Sequence, residues 1–158
     1  MLVIQRLIKR KVLVLGLLAF MFTANAQNKK YISNHKLLAA VLSEKYGIPA
    51  SVILSVAAIE SSGGAGPAAR VLNNHFGMEG KNSFVNNKGH KSRYKQYNNA
   101  IESYIDFCNV IARKRFYPTL KNNTDPKAWV KAISRAGYSE QPEQWERKVF
   151  SVLHSNQL

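Results

Sequence analysis

The feature that most constrains the fold is a series of helix boundaries, each followed by apolar residues at helical spacing. Pro49, Pro126 and Pro142 stand where the first turn of a helix tolerates proline, and Asp125, just before Pro126, is a capping residue. Asn99 and Glu102 have the spacing of a helix-capping box. The 158 residues suffice for one domain. These boundaries predict a mostly helical α+β domain.

The apolar spacing predicts six helices and one hairpin. The expected helices cover 34–46, 49–62 and 67–72, a long segment from 99, then 126–137 and a last segment from 142. We expect Leu37, Leu38, Val41 and Leu42 to face inward in the first, and Ile101, Ile105, Cys108, Ile111 and Ala112 in the fourth. Ile53, Val56, Ala57 and Glu60 share one face of the second helix, and Trp145, Val149, Val152 and Leu153 are expected to face inward in the last. Lys29–Ser33 is expected to be an extended lead-in. Lys81–Tyr97, with a turn at Asn86–Gly89, predicts a small β-hairpin.

The N-terminal 26 residues have the composition of a secretory signal peptide. Four basic residues precede an apolar run of 11 residues, Val12–Phe22, and small residues follow, ending at Ala26. Eleven residues are too few to span a bilayer, which needs roughly 20. We therefore predict cleavage after Ala26, no stable membrane anchor, and a domain of residues 27–158 that is periplasmic or secreted.

The composition narrows the classes of partner. Loss of the signal segment lowers the formal net charge from +14 to +10, because four basic residues and no acid leave with it. A basic exported domain favours anionic cell-wall polymers or lipopolysaccharide over nucleic acid, for which the chain has no recognisable motif. Cys108 is the only cysteine, so packing rather than an intrachain disulfide must stabilise the domain.

Familiar signatures of several enzyme classes are absent from the sequence. It contains no phosphate-binding loop, dinucleotide fingerprint, paired metal-ligand motif or nucleophile elbow, so we expect no cofactor and no metal. Among the acids Glu60 stands out, because it ends an apolar helix just before Gly63 and Gly64. Burial and the negative end of the helix dipole both disfavour its ionised form. A carboxyl that keeps its proton can serve as a general acid.

Four motifs resemble glycoside hydrolase family 73, the glucosaminidases of the flagellar-rod muramidase type. They occur in the family's order over about Leu37–Leu153. They are Ala57-x-x-Glu60-Ser61-x-x-Gly64, Asn73-Asn74-His75-Phe76-Gly77, Tyr94-x-x-Tyr97 leading to Ser103, and Ala136-Gly137-Tyr138 with Pro142 after it.

The resemblance implies a lysozyme-like fold with a small β-hairpin lobe and a peptidoglycan substrate. It implies cleavage of the N-acetylglucosaminyl-β-1,4-N-acetylmuramyl bond, with Glu60 as the general acid. It places Tyr138 by the scissile sugar. It assigns Asn74 and Phe76 to the cleft floor and Tyr97 to its hairpin side. We expect the protein to be a monomer.

The sequence departs from the family in the hairpin, where many relatives have a second carboxylate. Lys81–Tyr97 contains no Asp or Glu, which leaves Glu79 and Glu140 as candidate second acids. Three mechanisms remain open. Either acid could activate water, the substrate's N-acetyl group could assist, or the muramyl 6-hydroxyl could attack, as in a lytic transglycosylase. A catalytically inactive peptidoglycan-binding module is the further alternative.

Overall fold

Helices form most of the chain that the structure describes. The structure is a computed structural model and describes residues 26–83 and 92–158. Within these ranges the helices are α1 (26–46), α2 (Ala50–Glu60), α3 (Pro67–Leu72), α4 (Ala100–Ala112), α5 (Tyr117–Leu120), α6 (Pro126–Arg135) and α7 (Pro142–Ser155). The short helix α5 was not predicted; the other six correspond to predicted helices.

Local hydrogen bonds explain the helix boundaries that the sequence predicted. The Asn99 side chain accepts a hydrogen bond from the Glu102 amide at 3.1 Å, and α4 begins there. The Asp125 carboxylate caps α6 in the same way by accepting from the Lys127 amide at 2.9 Å. Gly137 follows α6 with a φ of 78°, a left-handed conformation that glycine adopts at little cost.

Helix α2 is the centre of the core. It packs mainly against α7 and also against α6 and α4. All residues from Val52 to Ala58 are buried. The sequence predicted one inward face that included Ile53 and Val56, but neighbours on several sides bury the whole circumference. Glu60 ends this helix, so its position is fixed by an element that is buried over seven consecutive residues.

The predicted extended lead-in at Lys29–Ser33 is wrong, because these residues belong to α1. Tyr31 and Ile32 are buried within it. The Tyr31 hydroxyl lies 2.7 Å from His75 Nδ1 and 2.8 Å from the Tyr104 hydroxyl. These side-chain contacts with distant parts of the chain hold the first turns of α1, which local sequence pattern does not reveal.

The predicted inward faces of α1 and α4 are also partly wrong. Leu37 and Val41 are 80% and 56% exposed, and Ile101 is 52% exposed. Aromatic rings take the inward positions instead, such as Tyr104 and Phe107, which are fully buried. Large rings bury more apolar area than isoleucine or valine, so they determine which face of the helix turns inward.

The flanks of the predicted hairpin lie antiparallel. Glu79 and Tyr94 form a β-bridge, and the Lys95 amide donates to the Met78 carbonyl at 2.8 Å. The predicted turn, Asn86–Gly89, lies outside the described residues. This pairing joins the segment after α3, at Met78 and Glu79, to the second flank of the hairpin, at Tyr94 and Lys95.

The predicted signal peptide lies outside the described residues, except for Ala26, which is helical. Among the helices of the described residues, none has the length and apolar character needed to cross a membrane.

Candidate active site

A cleft of about 690 Å³ runs beside the end of α2 and is bounded by helical and hairpin segments. Its lining comes from within residues 59–60, 76–79, 93–94, 110–114 and 137–148. The cleft therefore brings together residues from all four of the family-like motifs.

Glu60 lies on the cleft wall, and its carboxylate has a specific partner. Trp145 donates its indole N–H to Glu60 Oε1 at 2.7 Å. Burial raises the pKa of the Glu60 carboxyl, while the Trp145 hydrogen bond and then the charge of Lys148 partly oppose this shift. The direction agrees with the sequence argument, and a raised pKa keeps the carboxyl protonated at higher pH.

The Trp145 contact also favours one carboxyl oxygen as the site of the proton. An indole N–H can only donate, and the carbonyl oxygen of a neutral acid is the stronger acceptor, so the contact favours the carbonyl at Oε1 and the proton on Oε2. Oε2 faces Gly77, where an added Cβ would lie 3.5 Å away. Because Gly77 lines the cleft, the acidic proton is on the side where a substrate would bind.

Tyr138 lies beside this acid in the cleft lining. Its hydroxyl donates to the Phe76 carbonyl at 3.0 Å, and its ring centroid is 5.4 Å from that of Trp145. Burial is the main cause that raises the pKa of Tyr138 well above its ordinary value, followed by the charge of Glu60. Tyr138 therefore stays protonated, and its hydroxyl oxygen can accept a further hydrogen bond but cannot act as a base.

The structure places the two predicted cleft-floor residues differently. Phe76 lines the cleft and stacks on Phe107, with ring centroids 4.2 Å apart. Asn74 is fully buried and does not belong to the lining. Its amide donates to the Met78 and Lys95 carbonyls, each at 2.8 Å. Asn74 thus ties the loop below the cleft to the hairpin flank.

Tyr97, predicted on the hairpin side of the cleft, is likewise not among the lining residues. It is buried, and its hydroxyl donates to Asp106 Oδ2 at 2.7 Å. Lys95 Nζ contacts the same carboxylate oxygen at 2.8 Å. Of the Tyr94-x-x-Tyr97 motif, Tyr94 is the residue that reaches the cleft.

Both candidate second acids line the cleft and are exposed. Glu79 Oε1 lies 3.3 Å from Arg93 Nε, and the Arg93 guanidinium lies over the Tyr94 ring at 5.3 Å. Glu140 also acts electrostatically on Arg93. Arg93 therefore pairs with Glu79 and attracts Glu140, a carboxylate for which no hydrogen bond is found within residues 26–83 and 92–158.

Sequence reasoning missed the α7 contribution to the cleft. Gln141, Gln144, Trp145 and Lys148 line it at the spacing of one helical face. Trp145 was interpreted only as a core residue. The available signal was a tryptophan flanked at helical spacing by polar residues. Within residues 26–83 and 92–158, no group of three His, Cys, Asp or Glu side chains is placed to hold a metal ion.

Residues 36–158 match the glucosaminidase family, described as mannosyl-glycoprotein endo-beta-N-acetylglucosaminidase. The chain belongs to this family. It is therefore a glycoside hydrolase, and the membership predicted from the four motifs is confirmed. No curated protein matches this chain in sequence.

Solved structures of low sequence identity share the fold. The glycoside hydrolase domain of Salmonella typhimurium FlgJ is 24% identical, covers 82% of this chain and 88% of its own, and has a TM-score of 0.64. The catalytic domain of the Listeria monocytogenes autolysin Auto is 16% identical, with coverages of 83% and 85% and a TM-score of 0.67. A structure of a type VI secretion system effector-immunity complex from Pseudomonas protegens is 20% identical, with coverages of 84% and 95% and a TM-score of 0.61. These likenesses confirm the predicted mostly helical, lysozyme-like fold class.

Proposed function

We propose that this glucosaminidase is an exported peptidoglycan hydrolase that cleaves the N-acetylglucosaminyl-β-1,4-N-acetylmuramyl bond with Glu60 as general acid. The observation that carries the proposal is the half-buried carboxyl of Glu60, which Trp145 orients in the wall of a cleft. The names of its structural neighbours favour this substrate, since one is an autolysin and another is a peptidoglycan hydrolase from Sphingomonas sp. A1.

In the proposed reaction, Glu60 Oε2 gives its proton to the glycosidic oxygen as the bond to the anomeric carbon breaks. A water oxygen forms the new bond to that carbon and gives its proton to the carboxylate that activates it. The Glu60 carboxylate that results keeps the Trp145 hydrogen bond and gains attraction from Lys148. Both interactions are stronger with the anion than with the neutral acid. They therefore stabilise the transition state, in which negative charge develops, more than the ground state.

We assign the sugar contacts by their place in the cleft. Tyr138, with Tyr94 on the hairpin side, offers aromatic surface to sugar rings, whereas Phe76 is 2% exposed and supports the cleft by packing on Phe107. Asn74 and Tyr97 contribute indirectly by holding the loop and the hairpin flank in place. Glu79 is favoured over Glu140 as the group that activates water, because Arg93 fixes its carboxylate.

Zymography on purified cell walls with the wild type and Glu60→Gln tests the proposal. The glutamine carbonyl can still accept from Trp145, so the fold is retained while the proton donor is lost. We expect clearing by the wild type only. Equal clearing by both variants would remove Glu60 from the mechanism, and clearing by neither would favour a binding module.

Mass spectrometry of the digested glycan tests the assigned bond. New reducing N-acetylglucosamine ends are expected. Reducing muramic ends would show cleavage of the other glycosidic bond, and anhydro-muramic ends would show a lytic transglycosylase that uses no water.

Export and oligomeric state are the remaining parts of the proposal. We propose that residues 1–26 are removed and that residues 27–158 act as a monomer in the periplasm or outside the cell. The mass of the protein recovered from extracytoplasmic fractions should correspond to a chain beginning at Gln27. Light scattering of that material should give the monomer mass, and retention of the first 26 residues would contradict the proposed cleavage.

A further inference from the structure

Two cations of the cleft, Lys114 and Lys148, form no ion pair within the described residues. Arg93, the third cation of the lining, is paired with Glu79, and Lys95 nearby is paired with Asp106. The cleft that holds the groups we assign to catalysis thus also presents positive charge that no described carboxylate pairs with. An anionic group of the substrate would pair with this charge.

Lys114 is the more informative of the two cations. It follows α4, one helical turn after Val110, and both residues line the cleft. Its neighbours Arg113 and Arg115 are exposed, whereas Lys114 is half-buried. Cations near the end of a helix are common because they complement the helix dipole. Of these three, however, only Lys114 lines the cleft, where it loses hydration without gaining a protein carboxylate.

The proposed substrate carries the matching charge. A muramyl residue has a lactyl carboxyl group, which in intact strands is joined to a peptide that bears carboxylates of its own. An ammonium group with three rotatable donors can bind such a carboxylate without demanding one fixed geometry. A neutral polymer of N-acetylglucosamine offers no such partner.

We propose that Lys114, with Lys148 on the α7 side, forms a carboxylate subsite that selects glycan strands carrying an anionic muramyl substituent over neutral ones. This inference rests on the proposed function, since it names a substrate feature recognised in the same cleft. Lys148 also acts on Glu60, so substitution of Lys114 isolates substrate binding from the acid's titration.

The test is ligand binding to the full chain carrying Glu60→Gln, measured by calorimetry without turnover. Three soluble ligands are compared: peptide-bearing wall fragments, peptide-free fragments with a lactyl carboxylate, and a neutral N-acetylglucosamine oligomer. Lys114→Gln is added to this background. Lys131→Gln is the matched control, because Lys131 is an exposed lysine of α6 outside the cleft.

We expect Lys114→Gln to raise the Kd for peptide-bearing fragments by about three- to tenfold, an effect that decreases with added salt. Neither the neutral oligomer nor the Lys131→Gln control should change. A similar increase in Kd for peptide-free fragments would identify the lactyl carboxylate as the ligand and still support the subsite. An unchanged Kd for peptide-bearing fragments, or an equal increase in Kd for the neutral oligomer, would overturn the proposed subsite. Cell-wall clearing by the wild type tests the proposed function separately.

Discussion

The two sides of the cleft hold their carboxyl groups in different ways. On the helical side, Glu60 is partly buried at the end of the central helix and is fixed by a 2.7 Å hydrogen bond from Trp145. On the hairpin side, Glu79 is held by a 3.3 Å ion pair with Arg93, and both side chains are about two-thirds exposed, at 67% and 68%.

The difference separates two physical requirements of glycoside hydrolysis. A general acid needs a raised pKa, and burial raises the pKa of Glu60. A group that activates water needs access to solvent, which Glu79 has at the cleft edge. We infer that the helical side sets the proton affinity of the acid, while the hairpin side keeps a carboxylate in contact with solvent.

The largest expected effect compares the two acids directly. Glu60→Gln should lower kcat by about 10²- to 10⁴-fold, the usual contribution of a general acid. Glu79→Gln should lower it by about ten- to a hundredfold, because water or the substrate's N-acetyl group can partly replace the lost base.

Steady-state rates on solubilised cell-wall glycan would measure both effects, with Glu140→Gln as the control at a second exposed cleft carboxylate. A larger loss from Glu140→Gln than from Glu79→Gln would reverse the assignment of the second acid.

Trp145→Phe tests how far the acid function of Glu60 depends on the Trp145 hydrogen bond. The bond favours the Glu60 carboxylate, so its loss should lower kcat by about ten- to a hundredfold. It should also raise the pKa of Glu60, because the bond opposes the effect of burial. Since the acid must be protonated, the high-pH limb of the kcat profile should shift to higher pH. An unshifted limb, with the native circular dichroism spectrum, would show that Trp145 only packs.

Lys148→Gln should have a smaller effect in the same direction. Its charge lowers the pKa of Glu60, and Lys148 is exposed, so salt screens it. The high-pH limb of kcat should move upward at low ionic strength and return toward the wild-type position at high ionic strength. Arg147→Gln is the control, because Arg147 pairs with Glu143 and does not line the cleft. An equal shift from Arg147→Gln would indicate a general charge effect.

The smallest effect concerns stability and pH. The folded state binds the Glu60 proton more tightly than the unfolded state, because the folded pKa is raised. The resulting stability is fully present below the unfolded pKa, about 4.3, and is lost as pH rises through the folded pKa. The glutamine has no proton to lose in this way, so the stability of the variant does not fall with rising pH at this site. The Tm of Glu60→Gln relative to the wild type should therefore increase as pH rises from the unfolded pKa through the folded pKa. Calorimetry checks this, and a difference that does not vary with pH would contradict the raised pKa.

Much of the fold followed from local sequence, because caps and turns involve residues close in the chain. The Asn99 and Asp125 caps were predicted correctly for this reason. The inward face of α4 was mispredicted at Ile101, since several faces of a helix can have apolar residues at the same spacing. Which face turns inward depends on the aromatic partners that the neighbouring helices supply.

The sequence by itself determined the family, the helix order and the position of Glu60 at the end of an apolar helix. Only the tertiary structure decided that Trp145, 85 residues away, holds this acid, and that Arg93 holds Glu79 at the cleft edge. The physical reason is the distance along the chain over which each interaction acts. Helix propensity and capping act over a few residues, whereas hydrogen bonds and ion pairs across a cleft exist only after the helices have packed.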